Sequence, residues 1–537
     1  MHLLSTIIFI PLLGMLLIGL LPSRFQKSYK FITAGIAIVQ VFLSAHAYAY
    51  LQKNAVFQYI EKFDWINLNL GSFGNLQIDY FVGMDGITAG LVLLSSIVML
   101  IASISSFEIT SNTKGYHVLF NLMNLAIMGV FLSLDFFLFY VFYELMLLPL
   151  YFLIGMWGGA NREYASIKFF LYTLFGSVFM LLVMVGLYFS VSDPGTGAHT
   201  FNMLHMMDAK NYDAASFFNP STGATLMGIS ARFIAFIVLF IGFAIKVPMV
   251  PFHTWLPDAH VEAPTPISIV LAGVLLKVGA YGIIRICYGI FPDAAIHYSY
   301  YVAFMGMLSI IYGALNALSA KDLKRLIAYS SISHMGFVLL GIASLTSEGV
   351  NGALYQLFSH GILSSMLFFL VGILYSRVHD REIANFRGLS LQMPKYTAFV
   401  VIAFFASLGL PGMSGFIGEA FSLFGAFLSE SNNGLVPRWM AIVGAIGIVI
   451  GAAYFLWALQ RMFFGQKSFK LAQWENDLTD LNIREYIVLI PLALLTIILG
   501  VMPSILFDFS NASVNVFIND TIQQGYLFLH EYFKIII

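Results

Sequence analysis

Residues 246–285 read KVPMVPFHTWLPDAHVEAPTPISIVLAGVLLKVGAYGIIR, and the fold class turns on them. An apolar run enters from the N-terminal side, meets Lys246, and then meets two prolines. Pro248 and Pro251 leave the carbonyls of Ala244 and Val247 without helical partners. A second apolar run follows and carries Lys277 near its middle. Helical backbone broken in this way is tolerated at membrane depth only where it is buried in protein or lines a wet cavity. An unpaired charge at that depth costs about 2.5–3.5 kcal/mol on insertion scales. Two such lysines beside one break mark a functional membrane helix bundle rather than a soluble core.

Composition agrees. The chain has 537 residues, of which 59% are hydrophobic and 10% charged. A soluble domain runs near about 25% charged. The net charge of -1 implies no nucleic-acid partner. Cys287 is the one cysteine, so the chain holds neither an internal disulfide nor the thiolate set of an iron–sulfur cluster. No phosphate-binding glycine loop is present. The apolar start, residues 1–21, lacks the basic lead of a signal peptide, its Arg24, Lys27 and Lys30 coming afterwards.

Apolar runs with short polar breaks predict spans at 3–21, 30–51, 86–107, 116–133, 136–155, 168–190, 231–252, 264–289, 298–318, 326–345, 351–376, 395–428, 438–464 and 485–507. The fold class is therefore an all-α membrane protein of about fourteen helices. With the N-terminus outside, one set of loops collects Arg24, Lys27, Lys30, Lys114, Arg162, Lys321, Arg325, Arg377, Arg381, Arg387, Arg461 and Lys467. The opposite set holds few, among them Lys53, Lys62, Lys210 and Arg232. This positive-inside bias predicts a multi-pass protein of the bacterial inner (plasma) membrane with both termini periplasmic. The outer loops 52–85 and 191–230 are the long ones, the second irregular. Arg285 lies near enough to a span end to snorkel.

The twelfth span reads ASLGLPGMSGFIGEAFSLFGAF, and Pro411 breaks it as the other prolines break the seventh. Interrupted spans in corresponding places suggest two repeats with the site at the breaks. Spans 4–8 and 9–13 fit. The organisation is then 1–115 (spans 1–3), 116–290 (first repeat), 298–465 (second repeat) and 466–537 (last span and tail).

Four ionisable groups lie inside apolar runs: Glu144, Lys246, Lys277 and Glu419. His334 and His360 sit at similar depth. A buried lysine loses affinity for its proton through desolvation and regains it beside a carboxylate. Lys246 next to Glu144 would thus hold or release a proton as the pair forms or breaks, and Lys277 and the histidines would relay it. The bland readings stand beside this one. A Glu–Lys pair can simply clamp two helices, and an intramembrane histidine can be a satisfied core residue. The glycines of the twelfth span can serve close helix packing alone. His253, Asp258, His260 and Glu262 match no standard zinc spacing, so no metal is expected.

KVPMVPFHTWLPDAHVEAPTPISIVLAGVLLKVGAYGIIR resembles the signature of the antiporter-like subunits of respiratory complex I and of Mrp-type cation/proton antiporters. DFFLFYVFYELMLLPLYFLIGMWGG (residues 135–159) is similar to the family's fifth span, and KDLKRLIAYSSISHMGF (321–337) to the start of its tenth. The resemblance implies fourteen helices with two inverted five-helix repeats, a pair at Glu144 and Lys246, a central lysine at Lys277 and connecting histidines at His334 and His360. Glutamate at Glu419, where the L- and N-type branches carry lysine, and a short tail after the last span without a long lateral helix, are similar to the M-type branch, which includes subunit 4 of the mitochondrial enzyme.

The function implied is proton translocation within an NADH:quinone oxidoreductase, driven by redox chemistry elsewhere. NADH, FMN, iron–sulfur clusters and quinone are expected on partner subunits and none on this chain. Its partners would be other complex I membrane subunits, especially the L- and N-type ones, with lipid, protons and water. The alternatives are a subunit of a multi-subunit sodium/proton antiporter, a subunit of an energy-converting hydrogenase, or an architectural spacer.

Overall fold

A computed structural model describes residues 2–69, 75–221, 225–226 and 228–536. Among the described residues, 12 helices are long and apolar enough to cross a membrane. In chain order they begin with α1 (Leu3–Leu20), α2 (Gln26–Ala49), α3 (Gly86–Ser105) and α4 (Thr113–Leu132). Next come α5 and α6 (Phe136–Leu145 and Leu147–Trp157), which share one span, and α7 (Arg162–Tyr188). The seventh predicted span is split into α8 (Ala231–Lys246) and α9 (Trp255–Glu262). Unbroken spans resume with α10 (Thr265–Tyr288), α11 (Pro292–Ser319), α12 (Leu323–Ala343) and α13 (Ser347–Val378). The twelfth predicted span is split into α14 (Pro394–Ser407) and α15 (Ser414–Asn432). The chain closes with α16 (Arg438–Phe463), α17 (Ile483–Val501) and α18 (Ser504–Ile536).

Helix starts follow capping chemistry. The Asp85 carboxylate accepts from the Thr88 N–H at 2.9 Å, Asp135 from Leu138 at 3.0 Å and Asp322 from Arg325 at 2.9 Å. Asn482 and Glu485 form a reciprocal capping box at α17. The apolar residues of α10 and α13 are buried all round, so these two helices form the centre. α1, α7, α16 and α17 expose half or more of their apolar windows and form the perimeter. Close backbone approach needs small residues. A Cβ on Gly176 of α7 would lie 2.9 Å from the Gly242 carbonyl of α8, and one on Gly242 would lie 2.6 Å from the Gly176 carbonyl.

The break after Lys246 is held by named donors. The Met249 N–H donates to the freed Ala244 carbonyl at 3.0 Å. The Trp255 indole donates to Ile245 at 2.7 Å, and the Val250 N–H donates to Ser309 Oγ at 3.1 Å. The second break is closed by the Leu410 N–H on the Phe405 carbonyl at 3.1 Å.

Three expectations are corrected. The outer segment 52–85 is not a plain loop: β1 (Gln58–Asn69) pairs antiparallel with β2 (Asn75–Met84). The tail expected to be short and without a long helix is α18, a helix of 33 residues. α18 crosses one end of the bundle. It meets α2 through Tyr48, whose hydroxyl donates to Ile505, and α3 through the Gly86 N–H on Ser513 Oγ. It meets α13 through Ser510, which donates to Asn351, and α8 through Arg232 stacked on Phe528. Finally, Arg285 does not snorkel. Its guanidinium is buried and donates to Asp85 at 2.6 Å.

Candidate functional site

Four of the six predicted groups form a continuous contact chain across the second half of the bundle. Lys277 is wholly buried in α10. The turns either side of it, Leu271–Leu275 and Ile283–Tyr288, are π-helical. The wider turn presents the Ala272 carbonyl, to which Lys277 Nζ donates at 2.6 Å. The same Nζ lies 2.7 Å from His360 Nδ1 on α13. The His360 ring is 5.4 Å, centroid to centroid, from that of His334 on α12. His334 Nδ1 is 2.8 Å from Glu419 Oε1 on α15.

Both histidines and Glu419 are buried. Gly409, in the turn that breaks the twelfth span, has φ +83, and a Cβ there would lie 3.0 Å from Glu419 Oε2. The break therefore sets its backbone directly against the carboxyl. Ser330, Ser331, Gln356, Ser364 and Ser407 join the two histidines around a small polar cavity about the size of one water. In space the histidines stand in the order His360 then His334, the reverse of their order in sequence.

The first half is arranged differently. Glu144 lies in the last turn of α5, where its carboxylate accepts from the Ser177 hydroxyl of α7 and has Lys246 as its charged neighbour. Its Oε1 is buried with no hydrogen-bond partner. Lys246 ends α8, almost fully buried, and its Nζ is likewise unpartnered. The ammonium sits 3.1 Å from the centroid of Tyr143, the residue preceding Glu144. Glu144 and Lys246 thus face each other without forming an ion pair, with a phenol ring against the cation. The helices bearing Lys246 and Lys277 meet where a Cβ on Gly279 would lie 2.9 Å from both the Phe243 carbonyl and the Val247 N–H.

Sequence reasoning singled out neither Tyr143 nor Gln356, whose Nε2 reaches His334 Nδ1 at 3.4 Å. An i−1 aromatic before an intramembrane glutamate carries no signal in a chain with 27 tyrosines and 52 phenylalanines. The rejected metal quartet diverges. Asp258 pairs with Lys168 at 2.7 Å and Arg325 at 3.2 Å, and Glu262 accepts from the Asn161 N–H. His253 packs on Tyr312. His260 stacks on Phe368 at 4.5 Å, with both ring nitrogens buried and unpartnered. Its electrostatic neighbours are Lys324 and Lys277. Lys324 in turn lines a cavity of about 700 Å³, with Glu262 and Arg381, at the Lys- and Arg-rich end of the bundle.

The chain has counterparts among known proteins. Residues 133–451 match the family model described as NADH:quinone oxidoreductase/Mrp antiporter, TM. The chain is 40% identical over 517 residues to NADH-quinone oxidoreductase subunit M of Rickettsia bellii, covering 95% of this chain and 97% of the relative. A chain of respiratory complex I from Thermus thermophilus superposes with a TM-score of 0.80 at 28% identity, covering 97% of this chain and 100% of that one. A chain of the Mrp complex from a Dietzia species superposes with a TM-score of 0.78 at 18% identity, over 98% of this chain and 100% of that chain. At that identity the last likeness speaks to fold alone.

Proposed function

The chain belongs to the NADH:quinone oxidoreductase/Mrp antiporter transmembrane family, and on that premise we propose that it is the M-type proton-translocating membrane subunit of an NADH:quinone oxidoreductase. One observation carries the reading: the buried contact chain Lys277–His360–His334–Glu419. Buried polar side chains with no other task are costly, and these four run from the central helix α10 through α13 and α12 to the break in the twelfth span rather than clamp one helix pair.

The residues supply the following steps. Lys277 passes a proton from Nζ to His360 Nδ1. His360 releases one from its other ring nitrogen toward His334, directly or through one water. His334 passes its Nδ1 proton to Glu419. Glu419 releases its proton outward or to a neighbouring subunit, and each imidazole turns back to its starting tautomer before the next proton enters, so the chain conducts without net charge build-up. Glu144 and Lys246 form the input switch. When they approach, the ion pair holds the ammonium; when they part, burial without a counter-charge drives the Lys246 proton toward Lys277, against the hold of the Tyr143 ring on the ammonium. His260, between the Lys324 cavity and Lys277, is a second route by which Lys277 is reloaded. Counting the two interrupted segments as spans gives fourteen, and we assign spans 4–8 and 9–13 to two inverted five-helix repeats.

The chain is a subunit of an oxidoreductase complex and works beside other membrane subunits. We assign it no redox site, and L- and N-type subunits as its neighbours in a bacterial inner membrane with both termini outside. The test is purification of the intact complex from its native membrane. Co-purifying NADH-oxidising chains, with proton uptake driven by NADH in vesicles, support the reading. Small antiporter subunits and sodium-dependent proton exchange without NADH replace it by the antiporter reading.

A further inference from the structure

At the Lys- and Arg-rich end of α16, a concavity of about 590 Å³ is lined by Arg387, Trp457, Gln460, Arg461, Phe464 and the backbone of Gly465, with no carboxylate in its wall. The two arginines are exposed, and neither has an ion-pair or hydrogen-bond partner among the described residues. Their neighbours on the same end behave otherwise: Arg381 pairs with Asp322 and Arg377 with Glu485. Arg387 is held in place by the short antiparallel pairing of Phe386 with Phe469 and of Arg387 with Ser468. A Cβ on Gly465 would lie 3.0 Å from its Nε and 3.4 Å from its Nη2, so one edge of the guanidinium stands against that glycine. Arg461 lies over the Trp457 indole at 5.6 Å. Below the concavity, Leu456, Val449, Ile446 and Ile442 form an exposed apolar ridge along the outer side of α16.

We propose that this concavity binds the headgroup of an anionic phospholipid, the phosphodiester held between the Arg387 and Arg461 guanidiniums and the acyl chains lying on the α16 ridge. Three features select this ligand. Two fixed donor forks without counter-charge match the oxygens of a phosphodiester. Trp457 and Phe464 at the rim are the side chains that favour the headgroup level of a bilayer. The apolar ridge continues from the charged cavity in the direction that acyl chains run, which a free anion does not use.

The test uses the intact complex, wild type or carrying Arg387→Gln/Arg461→Gln, purified in mild detergent, incubated with dioleoylphosphatidylglycerol, and analysed by native mass spectrometry with increasing activation. A matched control, Arg24→Gln/Lys27→Gln, removes the same charge from the same end elsewhere. The proposal expects the double arginine variant to retain phosphatidylglycerol about tenfold less well, with the control unchanged. Arg387→Lys/Arg461→Lys should be intermediate, because lysine keeps the charge and loses the fork. Phosphatidylcholine should not substitute, and inorganic phosphate should not displace the lipid. Equal retention by wild type and the Gln variant overturns the proposal. So does full displacement by inorganic phosphate, which would make this a free-anion site, or loss of a neighbouring subunit in place of lipid, which would make it a protein contact.

Discussion

The two halves of the charged layer are built on opposite principles. From Lys277 to Glu419, each group touches the next or faces it ring to ring. From Glu144 to Lys246, one carboxylate oxygen and the ammonium nitrogen are buried with no hydrogen-bond partner, and a phenol ring stands against the cation. A satisfied buried network is rigid and a partly satisfied one is poised to change. On the proposed reading, the second half works as a conductor and the first as a switch. The difference also assigns the breaks: the one at Pro248 and Pro251 ends the helix at the switch lysine, and the one at Pro411 seats backbone against the conductor's last carboxyl.

The largest effect should come from cutting the conductor at its head. Lys277→Met removes the group that contacts both Ala272 and His360. Proton flux in reconstituted vesicles should fall roughly 100-fold, the range lost with one proton-transfer group. If redox and transport are tightly coupled, quinone reduction should fall with it. Wild-type flux and turnover at normal assembly would reduce the chain to packing.

Next comes the conductor's far end. Glu419→Gln keeps an amide within reach of His334 but cannot take a proton, and should cost about tenfold in flux. Glu419→Lys places a cation beside His334 and should be worse, because a misplaced buried charge is costly as well as mis-tuned. A Lys variant that pumps like wild type would show that the sign at this position is irrelevant.

The switch half should respond more mildly and in a way that tests the ring. Tyr143→Leu removes the face against which the Lys246 ammonium lies, worth about 0.5–1 kcal/mol, or about two- to fivefold in the open–closed balance. Tyr143→Phe keeps the face and should stay close to wild type. Equal behaviour of the two variants would make the ring a spacer. The smallest effect is expected at Phe424, exposed on α15 away from the layer. Phe424→Asn should leave proton flux unchanged, which separates charge effects from general disturbance of that helix.

Much of this was readable in sequence for a physical reason. A lysine or glutamate inside an apolar run is expensive, so Glu144, Lys246, Lys277 and Glu419 stand out one by one, and prolines announce where the helices break. What was not readable depends on packing between helices. Whether His334 or His360 faces Lys277 is fixed by how α12 and α13 sit against α10. The gap between Glu144 and Lys246 depends on how α5 and α8 sit against each other. Helix α18 escaped because its Asn, Ser and Asp residues dilute a signal tuned to spans, although they are the groups that bind the helix ends below it. The β1–β2 hairpin was hidden in a segment too polar to count as membrane, where its alternation went unused.

The central claim, that protons pass through the pair of histidines, is tested most directly by His360→Gln. The variant removes the one ring that touches Lys277 and faces His334 while retaining a polar side chain of similar reach. The measurement is NADH-driven proton flux and quinone-reduction rate on the intact complex in vesicles, at matched complex abundance. Both should fall together, by about tenfold or more. Wild-type flux at wild-type turnover would contradict the account.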